Sequence, residues 1–229
     1  MKTSDARLVL VGTPIGNPDD LGQRARAMLG AADLLICEDR KTAARLFRHH
    51  DLAFPSETYQ LLNEHTTPEE LQELVEQVAG SGLSVLISDA GMPVLADPGT
   101  ELVRAVRRRG VAVEVVPGPT AATTALARAG LGNQSYFFAG FCPRKPQLRR
   151  NFLQKLAAFE VPVVLYEAPY RTKVLLEEIH RVFPRKARVY VGVNLTAPGE
   201  VEFDSFCEEI PGMVDKIPKG PPVVILYRS

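Results

Sequence analysis

Leu8 to Val11 is a compact apolar run that stops at Gly12-Thr13-Pro14-Ile15-Gly16-Asn17-Pro18, which predicts a strand running into a loop. The spacing of Leu21, Ala25, Met28 and Leu29 predicts a helix within Asp20 to Leu29, and Ala32 to Cys37 reads as a second strand. A helix over Thr42 to His50 follows, then an irregular segment from Asp51 to Asn63. Thr67 can cap the next helix with Pro68 at its first position, and Leu71, Leu74, Val75 and Val78 supply its buried face. Leu83 to Ile87 predicts a strand, Glu101 to Arg109 a helix and Val111 to Val116 a buried strand, after which Pro117-Gly118-Pro119 opens an Ala/Thr-rich helix. This strict alternation argues for a parallel sheet with helices on its faces. Beyond Gly130 the pattern changes. Tyr136 to Phe141, Val161 to Tyr166, Ala187 to Val193, Val201 to Phe206 and Pro222 to Tyr227 are strand candidates, with helices only at Gln147 to Ala158 and Thr172 to Phe183. A mixed, partly antiparallel sheet is expected there, and hence two α/β domains, residues 1–117 and 118–229.

The chain is 229 residues long and 45% hydrophobic, enough for a real core. Its 27 basic and 27 acidic residues cancel, so no global field draws it to DNA or an anionic membrane, and any RNA contact must come from local patches. Cys37, Cys142 and Cys207 are too widely spaced for a disulfide framework or a zinc pattern. His49, His50, His65 and His180 show no metal spacing, so no metal is expected. The first seven residues are polar and no apolar run approaches the roughly 18 residues of a membrane span. These features predict a soluble, cytoplasmic protein.

Chemistry is expected where irregular loops follow strands, because their convergence on one sheet edge makes a cleft. The stretch from Ser88 to Gly99 holds two Asp, two Pro and two Gly in twelve residues and can bind a ligand through backbone groups, with Asp89 accepting from hydroxyls or amines. It also reads as a helix-capping turn with Asp97 as the cap. Glu38-Asp39-Arg40-Lys41 is either a polar cluster of a site or a helix cap at Asp39 followed by a solvated turn. Arg144, Lys145, Arg149 and Arg150 form a cationic patch, and Tyr170 with Arg171 adds an aromatic and a fork-shaped cation. That mix suits phosphate contact with base stacking, or a solvated helix start.

Taken in chain order, Gly12 to Asn17, Glu38 to Lys41, Asn63-Glu64-His65, Ser88 to Gly99, Pro117 to Ala121, Gly140 to Lys145 and Tyr166 to Arg171 resemble the tetrapyrrole methylase superfamily of S-adenosylmethionine-dependent methyltransferases. The likeness runs from residue 7 to 193, and within it the chain is similar to the branch that methylates the ribose 2′-oxygen of a cytidine in small-subunit ribosomal RNA. The resemblance implies a two-domain homodimer with the methyl donor in the cleft between domains. It implies that Asp89, Ala90, Gly91, Val94, Thr120 and Ala121 hold the donor, that Tyr166 and Glu167 close over it, and that Pro14 adds a contact from a loop facing the substrate. Glu38, Asp39 and Glu167 remain alternative bases, with Arg144, Lys145 and Arg171 binding phosphate or acidifying the hydroxyl. The chain departs from the branch after Val193, where Asn194-Leu195-Thr196-Ala197-Pro198 replaces an Arg-Glu-Leu-Thr-Lys stretch. A methylase of a tetrapyrrole-like or other small metabolite and a non-catalytic donor-binding scaffold are the competing expectations.

Overall fold

A computed structural model describes residues 6–55 and 59–228. Residues 56–58 of the segment read as irregular lie outside this range. The chain divides into two compact units, Met1–Thr120 and Ala121–Ser229. The first contains β1 (Arg7–Val11), α1 (Gln23–Gly30), β2 (Leu34–Cys37), α2 (Arg40–His49), β3 (Tyr59–Leu61), α3 (Pro68–Gly80), β4 (Leu83–Leu86), α4 (Thr100–Arg108) and β5 (Ala112–Val116). Its five strands run parallel in the order β3-β2-β4-β1-β5. The inner strands read as continuous apolar runs because both of their faces are covered. Leu8, Leu10 and Ile36 pack on one side with Leu74, Val78 and Leu102, while Val9, Val11 and Leu35 pack on the other with Ala25 and Phe47. Thr67 and Glu70 close the capping box that starts α3.

Two strands differ from expectation. β3 lies within the stretch read as irregular, at a sheet edge, and its three half-exposed residues carry no apolar run that would announce it. β5, read as buried, is the opposite edge, where Ala112, Glu114 and Val115 are exposed. Having one neighbour only, it leaves part of its valine content in solvent and pairs Glu114 with Arg7 at 3.6 Å.

The second unit contains α5 (Ala121–Arg128), β6 (Phe137–Phe141), α6 (Pro146–Leu156), β7 (Val163–Tyr166), α7 (Thr172–Val182), β8 (Arg188–Val193), β9 (Val201–Phe206), α8 (Ile210–Met213) and β10 (Pro222–Tyr227). The strand order is β6-β7-β10-β8-β9, with β6 and β7 parallel and the other pairings antiparallel. The mixed sheet thus follows the loss of alternation after Gly130. Leu153, Leu165, Leu175, Ile179, Val191 and Val224 form its core. The unanticipated α8 is too short for a periodic signal and is held by burial of Ile210 and Met213. Among the described residues, no helix is long and apolar enough to cross a membrane.

Candidate functional site

In the first unit the loops after β1, β4 and β5 are knitted into one piece at the carboxyl edge of the sheet. Thr13 and Gly91 form an isolated antiparallel bridge, the Thr13 N–H donating to Gly91 at 2.9 Å and the Gly91 N–H to Thr13 at 3.1 Å. The buried Thr13 hydroxyl lies 3.3 Å from the carbonyls of both Ser88 and Gly91. Gly91 has φ +86°, and a Cβ there would meet Ile15 at 3.3 Å and the Pro119 carbonyl at 3.4 Å. Gly12 and Gly118 touch backbone to backbone, and the Gly118 N–H donates to Met92 Sδ at 3.2 Å. Beside this junction a hollow of about 300 Å³ is lined by Thr13, Pro14, Arg45, His49, Asp89 and Ala90. Pro14, Asp89 and Ala90 therefore share one cavity, joined by Arg45, whose positive field opposes the forces that raise the Asp89 pKa.

Three carboxyls crowd the ends of β2 and β4. The backbone amide of Asp89 favours the charged form of Glu38, that of Asp39 the charged form of Asp89, and the Ser88 side chain the charged form of Asp97. Burial, helped by the charges of Asp97 and Asp89, pushes Glu38 up to about 7. Burial raises Asp97 to about 6 and also raises Asp89. Asp39 is different. Its carboxylate caps α2 by accepting from Thr42 N–H at 2.8 Å and Thr42 Oγ1 at 3.0 Å, and those bonds lower its pKa. Asp97 is not the helix cap expected of it. Gly99, at φ +126°, occupies the position before α4, two residues beyond Asp97. Earlier in the loop Val94 and Ala96 hold left-handed backbone at φ +75° and +62°, which costs energy in a side-chain-bearing residue, most of all the β-branched Val94.

The Glu38 shift has a measurable sign. A carboxyl with a higher pKa folded than unfolded binds its proton more tightly in the folded state, so stability falls as pH rises from 4.5 to about 7. Glu38→Gln is expected to raise the melting temperature at about pH 8 and leave it nearly unchanged at about pH 4. Thermal melts across that range check this, and equal melting at the alkaline end would show that burying the Glu38 charge costs no stability.

The second unit builds its own cluster at the ends of β6 and β7. Tyr166 accepts the N–H of Ala122 at 2.9 Å, which brings it to the amino end of α5, where Ala121 is the first residue. Phe138 and Phe141 meet the Tyr166 ring edge-on at 5.0 and 5.8 Å. Glu167, with a side chain 1% exposed, accepts from Ala168 N–H at 2.8 Å and from Arg171 Nη2 at 2.7 Å. The same Arg171 nitrogen donates to the Cys142 carbonyl at 2.6 Å. Arg149, buried despite its charge, donates through Nη1 to the Arg144 carbonyl at 3.2 Å. Nε of both Arg149 and Arg171 is buried with no hydrogen-bond partner among the described residues. Arg171 and Arg149 are thus internal braces of the loop from Cys142 to Lys145, and Arg144 and Lys145 are exposed on it. Burial pushes the Cys142 thiol up to about 12, so it stays protonated and unreactive.

The structural roles of Thr13, Ser88, Arg45 and Arg149 were not legible beforehand, because each depends on a partner distant in sequence. The stretch after Val193 forms a turn whose first residue is tied to the residue just before β10, Asn194 N–H donating to the Pro221 carbonyl at 3.3 Å. Asn194 and Thr196 adopt φ +55° and +65°, Ala197 N–H donates to the Asn194 carbonyl at 2.9 Å, and Thr196 N–H to Glu200 Oε2 at 2.9 Å. Among the described residues no group of three or more His, Cys, Asp or Glu side chains is placed to hold a metal ion.

A family profile for Tetrapyrrole (Corrin/Porphyrin) Methylases matches residues 7–211. The chain is 38% identical to Ribosomal RNA small subunit methyltransferase I of Leptospira borgpetersenii, across 99% of this chain and 90% of that protein. The same-named protein of Vibrio cholerae is 36% identical over 82% of this chain, and there the match spans only 65% of the relative's length. Among solved structures, a Thermus thermophilus uroporphyrin-III C-methyl transferase complexed with S-adenosylhomocysteine shares the fold at a TM-score of 0.64 and 22% identity, over 96% of this chain and 97% of that one.

Proposed function

This chain belongs to the tetrapyrrole (corrin/porphyrin) methylases, a family of S-adenosylmethionine-dependent methyltransferases, and from that premise we propose that it methylates the ribose 2′-oxygen of a cytidine in small-subunit ribosomal RNA. The observation that carries the choice of acceptor is 38% identity along 99% of the chain to a protein named for ribosomal RNA methylation. The local chemistry agrees. Arg144 and Lys145 are exposed cations in a stretch, Cys142 to Asn151, that has no acid, on a protein whose charges balance overall.

The hollow beside Asp89 lies at the lower end of the roughly 300–1,000 Å³ usual for small-molecule sites. In this reading Pro14, Asp89, Ala90, Gly91 and Val94 hold the donor, with Thr120, Ala121, Tyr166 and Glu167 completing its binding. When bound, the donor offers a sulfonium methyl that the acceptor oxygen displaces in line as its proton leaves to a base, so the chain's own residues mainly position and polarise. Glu38 is the base we favour among the three candidates. Asp39 is committed to capping α2 and Glu167 to Arg171, whereas a carboxyl near 7 is matched to proton uptake at neutral pH. Arg144 and Lys145 bind acceptor phosphate. The assembly proposed with this reading is a homodimer, which sedimentation of the purified chain tests.

The deciding experiment is methyl transfer from labelled S-adenosylmethionine to small ribosomal subunits, free ribosomal RNA and a metabolite extract, with Asp89→Ala as control. Label in the RNA at a ribose 2′-oxygen, lost in the control, is the expected result. Label confined to the metabolite extract would overturn the RNA reading.

A further inference from the structure

Resting on the RNA reading, we propose that Phe141 and Tyr170 form a stacking platform that selects unpaired nucleotides. Phe141 is 51% exposed and Tyr170 79% exposed. Single exposed aromatics need no explanation, but these two are coupled. The hydrogen bond from Arg171 Nη2 to the Cys142 carbonyl joins the residue after Tyr170 to the residue after Phe141. The two loops that carry the rings are therefore tied together. Arg171 is fixed in turn by the buried Glu167, and the Phe141 ring rests on the edge of Tyr166.

The neighbouring charge identifies the occupant. Arg144 and Lys145 continue the chain directly from Phe141-Cys142-Pro143, and both are exposed. Two exposed cations beside two exposed rings suit a phosphate backbone carrying bases with accessible faces. In an A-form duplex those faces are already stacked and the base edges paired, so the platform serves unpaired loops, bulges and ends. Because every base has a π-face, the selection is for the unpaired state and not for a sequence.

The test is an anisotropy titration of the full chain with a labelled RNA of about 12 nucleotides, unpaired or annealed to its complement. The unpaired strand is expected to bind about tenfold or more tightly than the duplex, and Phe141→Leu and Tyr170→Leu each to weaken it about tenfold. Leucine keeps apolar bulk but offers no π-face. Their slopes of log affinity against log salt stay at the wild-type value, whereas Arg144→Gln with Lys145→Gln lowers the slope by about 1.4. Tyr170 is the cleaner position because so little of it is packed. Leucine variants that bind like wild type, or a wild type that prefers the duplex, would overturn the platform and leave the RNA reading intact. A wild type that binds neither RNA, yet labels a metabolite, would overturn both.

Discussion

Gly118→Ala is expected to abolish donor binding and to lower the melting temperature by roughly 2–12 °C. A Cβ on Gly118 would lie 2.8 Å from the carbonyl carbon and Cα of Gly12 and 3.0 Å from its oxygen. These are backbone atoms, so no rotamer change relieves the clash, and the loops after β1 and β5 must part. Both are tied down. Gly12 N–H donates to the Val116 carbonyl at 3.0 Å, and Gly118 N–H is spent on Met92 of the loop carrying Asp89. Separating them pulls apart the junction against which Pro14, Asp89 and Ala90 are arranged. Overpacking of this kind costs about 1–3 kcal/mol, and in a chain of this size each kcal/mol is worth about 2–4 °C. Gly110→Ala is the comparison. Gly110 has φ +80° with nothing within 4 Å, so alanine there strains the backbone by about 1 kcal/mol without touching the site. Calorimetric titration with S-adenosylhomocysteine and thermal melts of both variants distinguish the two effects. Donor binding at wild-type strength in Gly118→Ala would show that the junction does not shape the site.

The same junction shows what the sequence could and could not disclose. Apolar periodicity located the inner strands and long helices because their burial is continuous, and Thr67 with Pro68 announced the start of α3 before any packing was known. It missed β3 and misjudged β5, since edge strands lack the covering layer that produces a readable pattern. The Gly-rich and Pro-rich loops marked where the chain is irregular, but pairings such as Gly12 with Gly118, or Thr13 with Ser88, span 75 residues or more and leave no local trace. Function-bearing charges were ambiguous for the same reason. Asp39 and Asp97 each fitted a helix cap by position. Only one is a cap, because Gly99 and not Asp97 stands immediately before α4. Arg171, read as binding phosphate or acidifying the hydroxyl, meets a carboxylate four residues earlier and a carbonyl 29 residues earlier.

That dual engagement makes Arg171→Met the second variant with a large expected effect, a loss of about 3–5 kcal/mol. Removing the guanidinium leaves Glu167 as a charge with a 1% exposed side chain and, among the described residues, only the Ala168 N–H to satisfy it. A surface pair would cost under about 1 kcal/mol. Glu167→Gln is expected to cost less, because the Arg171 guanidinium is 16% exposed and keeps its bond to the Cys142 carbonyl. The double variant should recover much of the Arg171→Met loss, since no buried charge is left unpaired, giving a coupling of about 2 kcal/mol or more in a denaturant cycle. Stability and RNA affinity then separate. Both variants lacking Arg171 lose the brace on the loop that carries Arg144 and Lys145, so RNA binding should remain weak in the double variant even where stability returns. An Arg171→Met chain as stable as a surface-pair mutant would mean that Glu167 is not held as a buried anion, and RNA affinity that returned together with stability would mean that Arg171 does not brace the loop.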